Sequence, residues 1–404
     1  MNSVNLPWSA WYEETELSFD LPTDYHIDVY QIRQLPAIDQ DQISAKLENL
    51  KNLLPPSIPL NIIIVVDDLT RPVILEPLLK NLLEKLHTCG ISNEQIKFLI
   101  GLGSHRPLSK TDMAKKIGAE IVEKYTCLNH NPDETVATGL QWGKTELKIN
   151  KHYLAADFKI VISGLTPHSF AGFSGGAKML IPGISDLEII SKTHKSVLMG
   201  FMGKLGEVEN NRFRKVIEEL VAQVGLDYFI GVVINGDRSI ADIFTGDFKE
   251  AHRQAATKAK KLYQTEVNTD ELYDLIILNA YPKDTELLQA ENAFIPLKSV
   301  KVPFVKEDGL ILVTSACSEG LGHHGLFGPA GLLYRKPRPL RFLKNKNLIF
   351  YTPNVSDQEF YSIFHSDYLL FREKERLINY LKNSLPKQAK IAVFPYASLQ
   401  LVGP

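Results

Sequence analysis

The stretch Asn61-Ile62-Ile63-Ile64-Val65-Val66-Asp67-Asp68-Leu69-Thr70-Arg71-Pro72 decides the fold. Five consecutive β-branched apolar residues suit a strand buried on both faces, the mark of a parallel sheet covered by helices. Thr70-Arg71-Pro72 ends the strand, and an amphipathic helical run follows as far as a stop at 87–90. Strand, polar loop and helix together make the first half of a βαβ unit.

The same pattern repeats outward. Strands are expected at 97–100, 158–162 and 229–234, and Ser109 with Asp112 forms a cap that opens a helix. Residues 249–264 form a charged helix, and the polar stretch 265–271 reads as a hinge. A fresh strand at 275–279 starts a second series, continued at 310–314 and 348–351. The expected fold class is α/β: two α/β domains with largely parallel sheets, residues 1–268 and 269–404. The last apolar run, 391–395, is left free to return to the first domain.

Length and charge narrow the function. At 404 residues the chain is long for one domain. With 45 basic against 47 acidic residues it has nothing to draw nucleic acid or an acidic membrane, so a small-molecule partner is expected. Cys89, Cys127 and Cys317 are few, odd in number and scattered. That excludes a disulfide scaffold and a thiolate zinc site, and it fits a reducing cytoplasm. The N-terminus lacks the basic start and apolar run of a signal peptide, and no apolar stretch approaches the roughly 20 residues of a membrane span. A soluble cytoplasmic protein is expected.

Ligands of parallel α/β sheets bind at the carboxyl ends of strands. Three such loops hold the unusual residues. In 67–72, Asp68 and Arg71 make either a structural ion pair with Thr70 as a helix cap, or a site where Arg71 clamps a carboxylate or phosphate. In Gly101-Leu102-Gly103-Ser104-His105-Arg106-Pro107, glycines allow close approach of a ligand, and His105 is a surface residue or an acid/base. The third loop, 163–178, runs Ser-Gly-Leu-Thr-Pro-His-Ser-Phe-Ala-Gly-Phe-Ser-Gly-Gly-Ala-Lys. Its small residues, Gly175 and Gly176 among them, expose backbone N–H groups suited to a phosphate, and Lys178 can pair with it. The P-loop pattern fails because Met179 follows the lysine. Ser185 and Glu188 then cap a helix bearing His194, a rigid imidazole able to ligate a metal. One protein histidine is too few for a metal, so a cofactor has to supply the other ligands.

Together, Asp68-Leu69-Thr70-Arg71-Pro72, Gly103-Ser104-His105-Arg106-Pro107 and His168-x-x-Ala171-Gly172-Phe173-Ser174-Gly175-Gly176-x-Lys178, through Pro182-Gly183 to His194, resemble the nickel-pincer lactate racemase family. Gly246-Asp247 and Tyr281-Pro282-x-Asp284 extend the likeness over nearly the whole chain. The resemblance implies two α/β domains with the active site in the cleft between them. It implies nickel held in a nickel-pincer nucleotide, a pyridinium-3,5-bisthiocarboxylic acid mononucleotide. Lys178 would be its covalent anchor, His194 the nickel ligand, and Asp68, Gly175 and Gly176 further cofactor contacts. His105 and His168 would be paired acid/bases, with Arg71 orienting the substrate carboxylate.

The activity implied is inversion of C2 in a small 2-hydroxy acid by transient hydride transfer. Enzymes that build the cofactor are implied as partners, and a homodimer is left open. The sequence departs from the family where its lactate enzymes carry Tyr-Gln-x-x-Lys. Here Leu288-Gln289-Ala290-Glu291-Asn292 keeps the glutamine and puts Asn292 in place of the lysine. Gln289 and Asn292 are therefore the expected substrate contacts. A sugar-acid (aldonate) 2-epimerase with the same cofactor, or a non-catalytic nucleotide- or metal-binding homologue, are the alternatives. His323 and His324 sit in a glycine loop, where they select substrate or form an exposed pair.

Overall fold

The computed structural model describes residues 2–55, 61–198, 203–268, 270–300, 304–343 and 346–403. The chain divides into two compact units, one of residues 34–262 and the other of residues 1–33 with 263–404.

In the unit 34–262, every residue of Ile62–Asp67 is buried, as its unbroken apolar run requires. The strand sits inside a six-stranded sheet. The order is Ile240–Gly246, Tyr228–Ile234, Phe158–Gly164, Ile62–Asp67, Ile96–Gly101, Thr126–Asn129. Only Ile240–Gly246 runs antiparallel to its neighbour. From Ile62–Asp67 the chain moves outward to Thr126–Asn129, then returns to Phe158–Gly164 on the opposite flank and continues away. The strand order thus reverses between Ile62–Asp67 and Phe158–Gly164. Loops leaving two adjacent strands in opposite directions open a crevice at that point, where such sheets bind ligands.

The other unit is built on a second six-stranded sheet, all parallel. Its order is Leu369–Phe371, Asn347–Tyr351, Val305–Thr314, Tyr273–Asn279, Lys390–Phe394, His26–Val29. Period-two alternation splits the strands between two cores. Ile276, Leu278, Ile311 and Val313 join one face cluster, while Leu275, Ile277, Leu310 and Leu312 join the other. The second face is closed by the hairpin Asn2–Trp8 with Thr15–Leu21, whose Val4, Leu6, Leu17, Phe19 and Leu21 belong to that cluster.

This corrects the expected partition. Residues 1–33 do not belong with 34–262, because His26–Val29 pairs in parallel with Lys390–Phe394. The same pairing keeps the last apolar run in its own unit. The stretch read as a hinge contains a short strand, Gln264–Thr265, paired with Leu401–Val402, while Thr269 lies outside the described residues. Among the described residues no helix is long and apolar enough to cross a membrane.

Candidate functional site

The three loops singled out by sequence leave the carboxyl ends of three adjacent strands, Phe158–Gly164, Ile62–Asp67 and Ile96–Gly101. A buried pair ties their bases together. The fully buried Lys116, on the helix Lys110–Ile117, lies 2.5 Å from Asp67 Oδ1 and donates to the Arg71 carbonyl at 2.8 Å. The other Asp67 oxygen accepts from the Gly164 N–H at 2.8 Å.

Asp68 is buried and its two oxygens are divided. Oδ1 accepts from the Thr70 N–H at 3.0 Å and the Thr70 hydroxyl at 2.5 Å, while Oδ2 lies 2.5 Å from His105 Nδ1. Burial alone would raise this carboxyl, but the His105 ring, Arg71 and Thr70 outweigh it and hold it well below the usual range. An ionised Asp68 accepts from His105 Nδ1–H, which places the lone pair of the neutral ring on Nε2. Arg71 Nη1 donates to the Thr70 hydroxyl at 3.1 Å and carbonyl at 3.3 Å. The expected ion-pair-or-clamp alternatives at Asp68 resolve into an Asp68–His105 dyad, with Arg71 braced on Thr70.

His168 and Lys178 meet at the glycine loop. Pro167–His168 pairs with Gly172–Phe173, and this tight hairpin folds the loop back on itself. His168 Nδ1 accepts from the N–H groups of Phe170 (3.4 Å) and Ala171 (3.3 Å), and Nε2 lies 3.1 Å from Lys178 Nζ. A histidine that accepts at Nδ1 carries its neutral-state proton on Nε2. Burial, then the positive charges of Arg71 and Arg214, push the Lys178 amine well below its ordinary value. The Phe170 ring packs against both, 4.3 Å from the His168 ring and 5.3 Å from Lys178 Nζ.

His194 lies on the helix Leu187–Leu198, and the same Phe170 ring is 6.0 Å away. Its Nδ1 sits 2.7 Å from the Ile190 carbonyl, so Nδ1–H donates and the ring's lone pair lies on Nε2. Burial, with the charges of Lys178 and His105, pushes its pKa down to about 4. The imidazole is therefore neutral at pH 7, as a metal ligand must be. The helix cap differs from expectation. The Ile189 N–H bonds to Asp186 Oδ1 at 3.0 Å, while Ser185 donates to the Leu180 carbonyl at 2.8 Å.

Gly175 (φ +76°) and Gly176 (φ +64°) both hold left-handed backbone. A Cβ on Gly175 would collide with the Ser163 hydroxyl, and one on Gly176 would come within 2.8 Å of the His252 ring. Sequence reasoning missed what lies behind them. Arg214 is fully buried and donates to the carbonyls of Ala171 (Nε, 3.1 Å), Phe173 (Nη2, 2.5 Å) and Gly175 (Nη1, 3.4 Å). The buried His252 bonds through Nε2 to the Ser174 carbonyl at 2.9 Å. The legible trace was the i, i+4 spacing of Arg214 and Glu218 amid the buried Phe213, Ile217 and Val221.

Gln289 and Asn292 lie in the other unit, on the short 3-10 helix Leu287–Phe294. The Asn292 amide donates to the Gln289 carbonyl at 2.8 Å and to its Oε1 at 3.1 Å. In the nearby glycine loop His323 is exposed, and His324 Nδ1 accepts from the Leu326 N–H at 3.1 Å.

Residues 12–202 match the lactate racemase N-terminal domain. The lactate racemase of Thermoanaerobacterium thermosaccharolyticum is 26% identical over 342 residues, 81% of this chain and 77% of that protein. The lactate racemase of Lactiplantibacillus plantarum is 28% identical over 272 residues, 66% of this chain and 62% of that protein. The structure of the Thermoanaerobacterium thermosaccharolyticum lactate racemase apoprotein shares the fold, with a TM-score of 0.76 at 22% identity and full coverage of both chains. A crystal structure of a Thermotoga maritima protein gives 0.66 at 18% identity, covering 92% of this chain and 99% of that one. The domain match over residues 12–202, the two sequence relatives and the shared fold agree in making this chain similar to the lactate racemases, which are isomerases.

Proposed function

We propose that this chain is a racemase or epimerase that inverts C2 of a small 2-hydroxy acid, using a nickel-pincer nucleotide anchored on Lys178. The observation that carries the reading is the grouping of two histidines in different hydrogen-bond settings with one buried lysine around a topological switch point. The residues present fit the cofactor. Lys178 offers a buried amine whose proton is held less tightly than usual, which favours covalent anchoring, and His194 would offer a neutral Nε2 to nickel. Among the described residues no three His, Cys, Asp or Glu side chains converge to hold a metal ion, so the remaining ligands have to come from the nucleotide. The buried Ser163 hydroxyl beside Gly175 makes no hydrogen bond among the described residues, leaving a polar position open at the foot of the turn. Asp68, Gly175 and Gly176 would line the same cofactor. When bound, that group supplies a hydride acceptor for the C2 hydrogen.

The chain's own residues handle the proton. Asp68 keeps the proton of His105 on Nδ1, so that Nε2 can take the substrate hydroxyl proton and return it. His168, whose Nε2 carries the proton, would donate to the substrate oxygen on the opposite face. Its present partner there is the Lys178 amine, which covalent anchoring would occupy. The Nε2–H would then be available to the substrate. Arg71, braced on Thr70, presents its remaining guanidinium donors to the carboxylate. Gln289 and Asn292 are assigned to substrate contact on the family resemblance, and the cofactor-building enzymes are the implied partners.

The test is to produce the chain together with enzymes that build the cofactor and to record its intact mass and nickel content. An adduct mapping to Lys178, stoichiometric nickel and racemisation of a single lactate enantiomer are expected. Activity in a preparation free of nickel and adduct would sink the proposal.

A further inference from the structure

We infer that Arg214 and His252 are positioning residues, a clamp on the carbonyl side of the glycine turn that fixes how Lys178 is presented. Between them they hold four of the five carbonyls from Ala171 to Gly175, and the fifth, of Gly172, accepts from the Gly206 N–H. A trans peptide points its N–H opposite its C=O. Pinning the Ser174 and Gly175 carbonyls to the buried side therefore turns the N–H groups of Gly175 and Gly176 the other way. Lys178 follows within the same turn of 3-10 helix, Gly176–Met179.

Stability alone does not account for this arrangement. A buried guanidinium carries a heavy desolvation penalty. Its one carboxylate, Glu218, stands 3.7 Å away and is shared with Arg253, whose Nη2 donates to Glu218 Oε2 at 2.7 Å. Arg214 is instead compensated by the loop carbonyls, and only a planar fork reaches three of them in different directions. His252 completes the set, and its Cδ2 edge occupies the space that a side chain at position 176 would need. The charge of Arg214 also reaches the Lys178 amine and weakens its hold on a proton.

The inference rests on Lys178 being the anchoring amine, and its test needs no cofactor. The full chain, purified without cofactor, is treated with cyanate at fixed pH. Carbamylation of Lys178 is read by peptide mass spectrometry against the exposed Lys144. Arg214→Lys keeps a charge but loses the fork, His252→Leu removes the donor, and His252→Gln restores a donor. In variants whose circular dichroism shows a native fold, Arg214→Lys and His252→Leu should change Lys178 labelling by about fivefold or more, the scale of one lost buried hydrogen bond. His252→Gln should return it to the wild-type rate. If Arg214→Lys does not fold, the His252 pair decides. Unchanged labelling in His252→Leu, or a change in His252→Gln as large as in His252→Leu, overturns the clamp. Altered labelling without any Lys178 adduct in cofactor-producing cells keeps the clamp and removes the proposed function.

Discussion

Among single residues, His105 and His168 are the sharpest test of the proposed chemistry. Both are held at Nδ1, one by a carboxylate and the other by two backbone N–H groups. Replacing either with glutamine should lower turnover by roughly 10²–10⁴, the usual contribution of a positioned acid/base, with little change in KM. Chiral chromatography of lactate after a fixed time measures this, and a variant that kept wild-type turnover would remove that histidine from the mechanism. Asp68→Asn should act through His105, lowering turnover less than loss of the ring itself. These residues were legible in the sequence because rare types concentrate at strand ends. Arg214 and His252 were not, because their partners are backbone carbonyls 43 and 78 residues away for Ala171 and Ser174. A side chain bonding to backbone leaves no partner residue type to recognise.

Elements show a different limit. Central strands were legible to within a few residues because burial on both faces demands unbroken apolar runs, as in Tyr228–Ile234 and Tyr273–Asn279. The hairpin Thr135–Trp142 with Thr145–Asn150 escaped notice, since one exposed face mixes polar residues into it. Turns can be ranked by what surrounds them. Gly103 (φ +57°) faces open space, so Gly103→Ala meets only the strain of left-handed backbone, about 1 kcal/mol. Gly176→Ala meets that strain and the His252 ring as well, and should destabilise by about 2–3 kcal/mol or more. Thermal midpoints of the two variants compare them directly, and equal midpoints would mean that the His252 ring yields freely. Asp186→Ala should cost about 1 kcal/mol as a lost helix cap, whereas Ser185→Ala removes a bond to the Leu180 carbonyl and leaves the cap in place.

At the scale of the whole molecule the two-unit plan was visible as two series of strands. The placement of residues 1–33 was not, because His26–Val29 finds its partner in Lys390–Phe394, at the far end of the chain. The unit 34–262 also concentrates the acid sensitivity. Burial pushes His130 and His194 down to about 4 and His252 well below its ordinary value. In the unfolded chain each titrates near 6.5. A histidine with a lowered folded pKa stabilises fully above its unfolded value, and that stability is lost as pH falls from there toward the folded value. Between about pH 6 and 5 unfolding therefore takes up close to three protons, each worth about 1.4 kcal/mol per pH unit. Ordinary carboxylates remain mostly ionised in that window and do not mask the effect. Calorimetry of the cofactor-free chain should show the midpoint falling by several degrees from pH 6.5 to 5. His130→Gln, which keeps a donor for the Ser185 carbonyl, should flatten that slope by about a third. A midpoint that stayed level down to pH 5 would mean that these imidazoles are charged in the folded protein, and would remove the basis for His194 as a neutral ligand.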